Sequence, residues 1–242
     1  QNAAEEVDPA YVRAHGIRVV RRMTGGGAVY HDLGNLNYSF ITDALDTASL
    51  SMEALARPVC RALSALGVAA ELSGRNDICV EGRKVSGTAQ RLSRGRVLHH
   101  GTLLFDTDAE ALSGALRADP EKFRSKAARS VRSRVGNIRD FLPADMDLGE
   151  FRRAILAELT RGGLVRESLT ETELERVRTL AAEKYESWEW NWGRAPDFGF
   201  RSRRRFPGGS IEVRLDIHAG HIRDAAFAGD FMAMTGWGRA RE

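Results

Sequence analysis

The sequence predicts an α+β protein, since patterns typical of strands and of helices both recur along it. Two short apolar runs, residues 77–80 and 84–89, flank a tight Glu81-Gly82-Arg83 connection, which is typical of a β-hairpin. Apolar side chains at spacings of three and four over residues 48–66 indicate an amphipathic helix. Residues 211–217 alternate strictly between apolar and charged side chains, which indicates a half-buried strand.

Further strand and helix signals occur in the first hundred residues. Residues 17–23 carry apolar side chains among arginines and predict a strand that leads into Thr24-Gly25-Gly26-Gly27. Thr47 is the predicted N-cap of the first amphipathic helix, and Gly67 is its predicted stop. Residues 97–105 predict another buried strand.

Two later helices begin at predicted capping boxes. Asp147 has Glu150 three residues later, and Thr170 has Glu173 at the same spacing. A capping box satisfies main-chain N–H groups at the start of a helix. Helices are therefore predicted to begin at these two positions.

The chain changes character after the tryptophan-rich segment 188–192. Gly and Pro in the stretch 193–209 predict a linker. The strand over 211–217 then turns at Ala219-Gly220, and residues 221–227 can return antiparallel. A two-stranded hairpin alone is marginal in water, so the C-terminal part is predicted to begin a small domain, or to form a flap on the main one.

Composition narrows the function classes. The 242 residues include 36 basic and 33 acidic side chains, and a net charge of +3 permits anionic partners without requiring nucleic acid. No apolar run of roughly 18 residues is present, so no membrane span is expected. Cys60 and Cys79 lack the spacing of metal ligands. They are therefore predicted to be free core residues, as is usual for a protein of the reducing cytoplasm.

The glycine run is the first candidate site. Three consecutive glycines let main-chain N–H groups approach an anion closely, and Arg21 and Arg22 just before them can pair with phosphate. The spacing fits neither a Walker A loop nor a Gly-x-Gly-x-x-Gly motif. On composition alone, a plain glycine-rich turn is an equally good interpretation.

Other candidates carry simpler alternatives. Lys84 could contact a phosphate or a carbonyl oxygen if its strand borders a pocket, although a solvated lysine is the commoner case. The adjacent residues His99 and His100 face opposite sides of a strand, so a shared metal is the weaker interpretation. The basic run 201–205 predicts a solvated loop, with nucleic-acid contact as a weak option.

Together these segments resemble the lipoate–protein ligase A family. Residues 21–35 resemble its first signature, with Thr24 where serine is usual. The second signature is matched by residues 74–77 and 83–89, and the third by residues 99–104. Further matches lie at residues 130–135, 188–191 and 205–209. The resemblance therefore spans almost the whole chain.

The resemblance implies a fold and a reaction. The fold is a mixed sheet with flanking helices, like the catalytic domain of biotin ligases and class II aminoacyl-tRNA synthetases. Residues 1–193 would form the catalytic domain, and residues 194–242 a linker and a partial accessory domain. The implied reaction joins lipoate to ATP as lipoyl-AMP, with Mg²⁺ as the ion, and then transfers the lipoyl group to a carrier lysine. Implied carriers are the E2 subunits of 2-oxoacid dehydrogenases and the glycine cleavage H protein.

Site residues follow from the matched motifs. ATP would be held by Arg22, by the N–H groups of Gly27, Ala28, Val29 and Tyr30, and by the central lysine, Lys84. Lipoate would contact Lys84, Gly25, Gly26, Ser86, Gly87 and Ala89. Supporting positions are Asn35, Asp77, His100 and Thr102, and no residue is assigned to the metal. The basic segment 123–134 would cover the adenylate.

Two departures and two alternatives accompany this interpretation. Only Gln1-Asn2 remains of a segment that precedes the first signature in the family, and the pattern stops after Phe231, so the chain is expected to be truncated at both ends. The alternatives are a lipoyl or octanoyl transferase of the same fold and a non-catalytic lipoate-binding module. Such transferases use a cysteine nucleophile, which the surroundings of Cys60 and Cys79 do not suggest.

Overall fold

The chain divides into two compact units. The computed structural model describes residues 6–44, 51–74, 76–116, 135–191, 200–206, 209–218 and 221–229. Residues 29–168 form one unit, the central unit, and residues 1–28 with 169–242 form the other, the terminal unit. Each unit contains its own antiparallel sheet.

Helices and strands alternate irregularly along the chain. The helices are α1 Pro9–Ala14, α2 Met52–Ala65, α3 Ala109–Ala115, α4 Leu148–Leu159, α5 Glu171–Leu180 and α6 Trp188–Asn191, with a 3₁₀ turn at Ile138–Phe141 and a π-helical turn at Ala181–Tyr185. The strands are β1 Asn35–Asp43, β2 Ala70–Ser73, β3 Asp77–Val80, β4 Arg83–Ser93, β5 Arg96–Leu104, β6 Phe200–Phe206, β7 Gly209–His218 and β8 His221–Gly229. The predicted α+β class is confirmed. In the described part of the chain, no helix has the length and apolar character needed to cross a bilayer.

The central unit is built on a five-stranded sheet with the order β1-β5-β4-β3-β2. Its neighbouring strands all pair antiparallel, and one isolated parallel bridge joins Lys84 to Val135. The predicted hairpin is confirmed: β3 and β4 are joined by Glu81 and Gly82, both with positive φ. Two left-handed residues match the twist of a two-residue hairpin turn.

Helix ends lie where local sequence predicts them. Both capping boxes are confirmed, at Asp147 for α4 and at Thr170 for α5. Gly67, with a φ of 84°, follows the last turn of α2 as predicted. The predicted N-cap Thr47 lies outside the described residues, and the helix described there begins after Ser51, whose hydroxyl accepts the N–H of Ala54.

The core of the central unit lies against one face of the sheet. Helices α2 and α4 contribute Val59, Leu63 and Phe151, and the strands contribute Ile78 and Val85, all fully buried. Burying each such side chain contributes about 1.5–3 kcal/mol. Both cysteines are free and buried, as predicted.

The terminal unit corrects two predictions. The linker predicted over 193–209 contains strand β6, which pairs along its whole length with β7, so the C-terminal sheet has three strands in the order β6-β7-β8. The solvated loop predicted over 201–205 is also wrong, because these residues lie within β6. The predicted strands over 211–217 and 221–227 are confirmed as parts of β7 and β8. The predicted turn at residues 219–220 lies outside the described residues.

The strand predicted over 17–23 is wrong, because residues 17–22 have no regular structure. Side chains, not a neighbouring strand, satisfy the main chain at Arg21. Its N–H donates to Asn191 Oδ1 at 2.8 Å, and its carbonyl accepts the indole N–H of Trp190 at 2.7 Å. A main chain satisfied in this way needs no sheet partner.

Candidate functional site

Most predicted site residues of the central unit share one face of its sheet. Asp77 pairs with Gly87, and Ala89 pairs with His100, with Thr102 two positions further along β5. Side chains directly opposite or two residues apart in a sheet point to the same side. We name this side the polar face; the opposite side is the core face.

A β-bulge aims Lys84 at the polar face. The β3–β4 register passes from Ile78 opposite Ser86 to Cys79 opposite Lys84, so Val85 has no cross-strand partner. Val85 and Ser86 are consecutive, yet both are fully buried on the core face. The extra residue reverses the alternation of side chains, so Lys84 lies on the side of Gly87.

The ammonium group of Lys84 lies close to two predicted site residues. Its Nζ is 2.7 Å from Asp77 Oδ1. A Cβ atom on Gly87 would lie 3.0 Å from the same Nζ, so the missing side chain of Gly87 leaves room for the lysine. The N–H of Gly87 donates to Thr102 Oγ1 at 3.4 Å. Lysine, carboxylate, glycine and threonine therefore meet at one point of the polar face.

The remaining central-unit residues have less direct roles. Ser86 is on the core face with a buried side chain, so only its main chain can contribute to the polar face. Asn35 donates from Nδ2 to the carbonyl of Tyr30 at 3.2 Å and supports the end of the first signature. Val29 is exposed, and Ala89 is half-buried.

The two adjacent histidines point to opposite sides, as predicted. His100 is half-buried on the polar face, whereas His99 is fully buried beside the ring of Phe40. Neither ring nitrogen of His99 has a hydrogen-bond partner among the described residues. Burial, with a smaller contribution from His100, lowers the pKa of His99 from 6.5 to about 4.

This buried histidine predicts a loss of stability in mild acid. Because His99 is neutral in the folded state, the unfolded state binds an extra proton below its usual pKa of 6.5. The stabilisation is complete above about pH 6.5 and is lost as pH falls toward 4, by on the order of 3 kcal/mol. Urea unfolding at several pH values would measure this slope.

The matched variants for the pH experiment are His99→Phe and His15→Gln. Phenylalanine has no titrating group but preserves an aromatic ring beside Phe40, so the slope between pH 6.5 and 4 should flatten. His15 is exposed, and its variant should keep the slope of the original protein. Equal slopes in the original protein and in His99→Phe would contradict the assignment to His99.

In the terminal unit, the Arg22 side chain contacts the segment of residues 24–28, which we name the glycine bend. The Arg22 side chain donates from Nε to Thr24 Oγ1 at 3.0 Å and from Nη2 to the carbonyl of Gly25 at 2.7 Å. Gly26 has a φ of 105°, and a Cβ there would lie 2.7 Å from Arg22 Nη2. The glycines therefore make space for a guanidinium group, whose pKa is lowered by burial.

Glu6 occupies the other end of the bend. Its Oε2 accepts the N–H of Ala28 at 2.9 Å, and its charge opposes the fall in the Arg22 pKa that burial causes. The bend and Glu6 line a cleft of about 130 Å³, formed by residues 6, 7, 19–22, 24–28, 191 and 229. The Glu6 carboxylate therefore accepts a hydrogen bond from the N–H of Ala28, one of the groups that were predicted to bind the nucleotide.

Sequence reasoning missed Glu6 and Asn191 as parts of this region, and it predicted a phosphate partner for Arg21, which bonds instead to Trp190 and Asn191. Arg21 donates from Nε to the carbonyl of Trp190 at 2.8 Å, and Asn191 is buried with its Nδ2 bonded to the carbonyl of Tyr185. Arg21 and Asn191 are 170 residues apart in sequence, and Glu6 and Ala28 are 22 apart, so no local spacing could link them. The only available signal was the match of residues 188–191 to a family motif, which named no role.

Metal ligands are not gathered in the described residues. No group of three or more His, Cys, Asp or Glu side chains there could hold a metal ion. Mg²⁺ commonly binds through one or two carboxylates together with substrate phosphates, so such a cluster is not required for it. Asp77 is the carboxylate beside Lys84.

Comparison with known proteins identifies the family. Residues 1–160 match the family model of the lipoyl protein ligase A/B catalytic domain, and residues 195–238 match that of the bacterial lipoate protein ligase C-terminus. The chain belongs to the lipoate–protein ligase family. The predicted family resemblance is therefore confirmed.

Individual members of the lipoate–protein ligase family are similar to this chain in sequence and in structure. The lipoate-protein ligase LplJ of Bacillus subtilis strain 168 is 44% identical over 238 residues, which cover 97% of this chain and 72% of LplJ. A bipartite lipoate protein ligase of Thermoplasma acidophilum, studied with its E2 lipoyl domain, is 37% identical, with a TM-score of 0.69 over 83% of this chain and 80% of that one. A lipoate-protein ligase A bound with ATP is 33% identical, with a TM-score of 0.66 over 79% and 78%.

Proposed function

We propose that this ligase uses ATP to attach lipoate to a lysine of a lipoyl carrier domain. In the first step, a lipoate carboxylate oxygen forms a bond to the α-phosphorus of ATP, the α–β phosphoanhydride bond breaks, and pyrophosphate leaves. In the second step, the carrier amine forms a bond to the acyl carbon and loses a proton, while the acyl–oxygen bond breaks and AMP leaves. Family membership and the ATP-bound relative support this assignment.

Lys84 is the proposed catalytic residue. Its fixed positive charge would contact the acyl carbonyl and the α-phosphate, where negative charge develops in both steps. The observation that carries this role is the β-bulge at Val85, which brings Lys84 to the polar face above Gly87. Its half-exposed ammonium group, paired with Asp77, is accessible to an incoming anion.

The glycine bend is the proposed nucleotide contact. Arg22 and the N–H groups of Gly27 to Tyr30 would hold the phosphates. Arg22 already lies within the bend through its bonds to Thr24 and Gly25. An anion that takes the N–H of Ala28 would replace the carboxylate of Glu6 there.

The lipoyl chain is proposed to lie beside small residues. Gly25, Gly26, Gly87 and Ala89 are the candidates, with the main chain of Ser86. The spaces at Gly26 and Gly87 are taken by the side chains of Arg22 and Lys84, so each of these two glycines is proposed to position its own neighbouring cation. Four further residues are proposed to support the site from the polar face and from the end of the first signature. They are Asn35, Asp77, His100 and Thr102.

Mg²⁺ is proposed as the ion of the first step. Bringing a carboxylate to a triphosphate joins two anions, and a divalent cation reduces their repulsion. The nucleotide phosphates would supply most of its ligands. Among the residues around Lys84, Asp77 offers a carboxylate.

Carriers, location and domain boundaries complete the proposal. The E2 lipoyl domain studied with the Thermoplasma ligase supports an E2 subunit as acceptor, and the glycine cleavage H protein is proposed as a second one. Two free buried cysteines are consistent with the cytoplasm. Residues 1–193 are proposed as the catalytic domain, and residues 194–242 as a linker and partial accessory domain.

An acyl transferase with a cysteine nucleophile is less well supported. Cys79 would be the candidate nucleophile, because it lies directly opposite Lys84. Burial raises the pKa of its thiol, with smaller opposing and reinforcing effects from neighbouring groups. A neutral thiol is a poor nucleophile, which favours the ligase reaction.

The decisive experiment separates ligase, transferase and binding module. The protein is incubated with lipoate, ATP and Mg²⁺, and pyrophosphate and lipoyl-AMP are measured, the latter by mass spectrometry. An unmodified E2 lipoyl domain is then added, and its mass is followed. A ligase releases lipoate-dependent pyrophosphate and adds one lipoyl group to the carrier. Carrier modification from an octanoyl- or lipoyl-loaded donor carrier, supplied without ATP in a parallel reaction, would indicate a transferase. Lipoate binding without either product would indicate a binding module.

A further inference from the structure

The first residues of β4 have an unusual neighbour. Within the described residues, the β4–β5 register runs from Thr88 to Ser93, so β5 does not flank the main chain of Lys84. Val135 and Gly136 take that place. Lys84 and Val135 form the isolated parallel bridge, and the carbonyl of Lys84 accepts the N–H of Gly136 at 2.9 Å.

Arg83 holds this segment through its side chain. Its Nε donates to the carbonyl of Val135 at 3.1 Å, and its guanidinium carbon lies 5.5 Å from the centre of the Phe141 ring. Its Nη2 is also 3.9 Å from Asp140 Oδ2, in a solvent-exposed pair that contributes little stability. The planar guanidinium thus bonds at one edge and stacks on one face.

Gly136 shows how closely these groups pack. A Cβ atom there would lie 3.0 Å from a ring carbon of Phe141 and 3.1 Å from Arg83 Nε. Both distances are shorter than an ordinary van der Waals contact. A side chain at residue 136 would therefore require Arg83 or Phe141 to shift by a few tenths of an ångström. Glycine at this position permits the Arg83 contact.

We propose that Arg83 is a positioning residue for Lys84, and that it acts by clamping residues 135 and 136 against the start of β4. The bulge at Val85 interrupts the β3–β4 ladder at this point, so the main chain of Lys84 depends on its other neighbour for support. Fixing that neighbour fixes the direction in which the Lys84 ammonium group leaves the sheet. The inference rests on the proposed catalytic role of Lys84.

Arg83→Ala tests the proposal in lipoate-dependent pyrophosphate release. A small misplacement of a reacting group can reduce a rate by about 10²-fold, so we expect kcat to fall by about 10- to 100-fold. The KM values for lipoate and ATP should change by less than about threefold, because Arg83 is not expected to bind either substrate. A higher KM with unchanged kcat would overturn the proposal.

Two further variants separate geometry from charge. Arg83→Lys retains the charge but loses the planar fork and its stacking, so it should remain impaired. Gly136→Ala keeps Arg83 but crowds its Nε and the Phe141 ring, so kcat should fall in the same direction as in Arg83→Ala. The double variant should lose no more than Arg83→Ala alone, because both changes act on the same contact. Recovery in Arg83→Lys, or additive losses, would overturn the proposal.

A direct readout of Lys84 makes the test independent of turnover. The acetylation rate of Lys84 by acetic anhydride, measured by peptide mass spectrometry, should change in the same direction in Arg83→Ala and Gly136→Ala. Arg91→Ala, an exposed arginine on the same strand, should leave both acetylation and turnover unchanged. An unaltered rate in Arg83→Ala would overturn the clamp. Absence of pyrophosphate release by the original protein would instead count against the proposed function.

Discussion

Replacing Lys84 by alanine is expected to reduce lipoate-dependent pyrophosphate release by about 10²–10³-fold. The loss of one preorganised cation or hydrogen-bond donor from a developing oxyanion has this magnitude in other enzymes. The described residues that face Lys84 across the sheet or lie against its ammonium group are Asp77, Cys79 and Gly87, and none of these three carries a second cation. Without the lysine, the carboxylate of Asp77 would repel the approaching anions.

The Lys84 experiment has two matched controls. Lys84→Arg retains a positive charge, but its wider planar group fits poorly in the space above Gly87, so only part of the activity should return. Arg96→Ala removes a cation from the same sheet, in an exposed pair with Asp43, and should leave activity unchanged. If Lys84→Ala retained the original rate of pyrophosphate release, Lys84 would not be catalytic.

The transfer step should suffer in the same variant. Synthetic lipoyl-AMP supplied with an E2 lipoyl domain bypasses the first step, so carrier modification then measures transfer alone. Lys84 is proposed to contact both the acyl carbonyl and the phosphate, and we therefore expect a slower transfer as well. A variant that transfers the lipoyl group normally from lipoyl-AMP would restrict Lys84 to adenylate formation.

Gly34→Ala is expected to have the largest effect on stability, a loss of about 4 kcal/mol or more. An alanine Cβ would lie 2.0 Å from the carbonyl oxygen of Asp106 and 2.9 Å from the main-chain nitrogen of Thr107. The atoms that it meets belong to the main chain, so no side-chain rotation can relieve the overlap. The Gly34 carbonyl also accepts the N–H groups of Phe105 and Asp106, at 3.0 and 2.9 Å, which holds the two segments together.

Urea unfolding of Gly34→Ala and Gly162→Ala would measure this effect. An alanine Cβ at residue 162 would have no neighbouring atom within 4 Å, so its free energy of unfolding should change by less than about 0.5 kcal/mol. The two variants add the same methyl group and differ only in their surroundings. Equal free energies of unfolding for both would show that the loop around Gly34 can open to admit a side chain.

Local structure was readable from the sequence wherever neighbouring residues determine it. The turn between β3 and β4 needs left-handed residues, which Glu81 and Gly82 supply, and the capping boxes at Asp147 and Thr170 satisfy N–H groups a few residues away. The candidate residues Lys84, Gly87 and Arg22 were also predicted, because the family signatures are continuous stretches of sequence. In each case the interacting groups lie within a short segment.

The tertiary structure decided which groups meet across long separations. Glu6 bonds to Ala28 across 22 residues, and Arg21 bonds to Asn191 across 170, so residues 17–22 need no strand partner. Strand β6 likewise forms from a stretch predicted as linker because β7 supplies its hydrogen bonds.

The direction in which the Lys84 side chain points depends on both the sequence and the tertiary structure. The sequence by itself determined that a lysine stands in a strand of a ligase signature, two residues before Ser86 and three before Gly87. Only the fold placed Val85 and Ser86 together in the core, which makes the bulge and turns Lys84 toward Asp77 and Gly87. The physical reason is that a strand reverses all of its side chains when one residue is added, and burial of two consecutive residues is set by the packing around them.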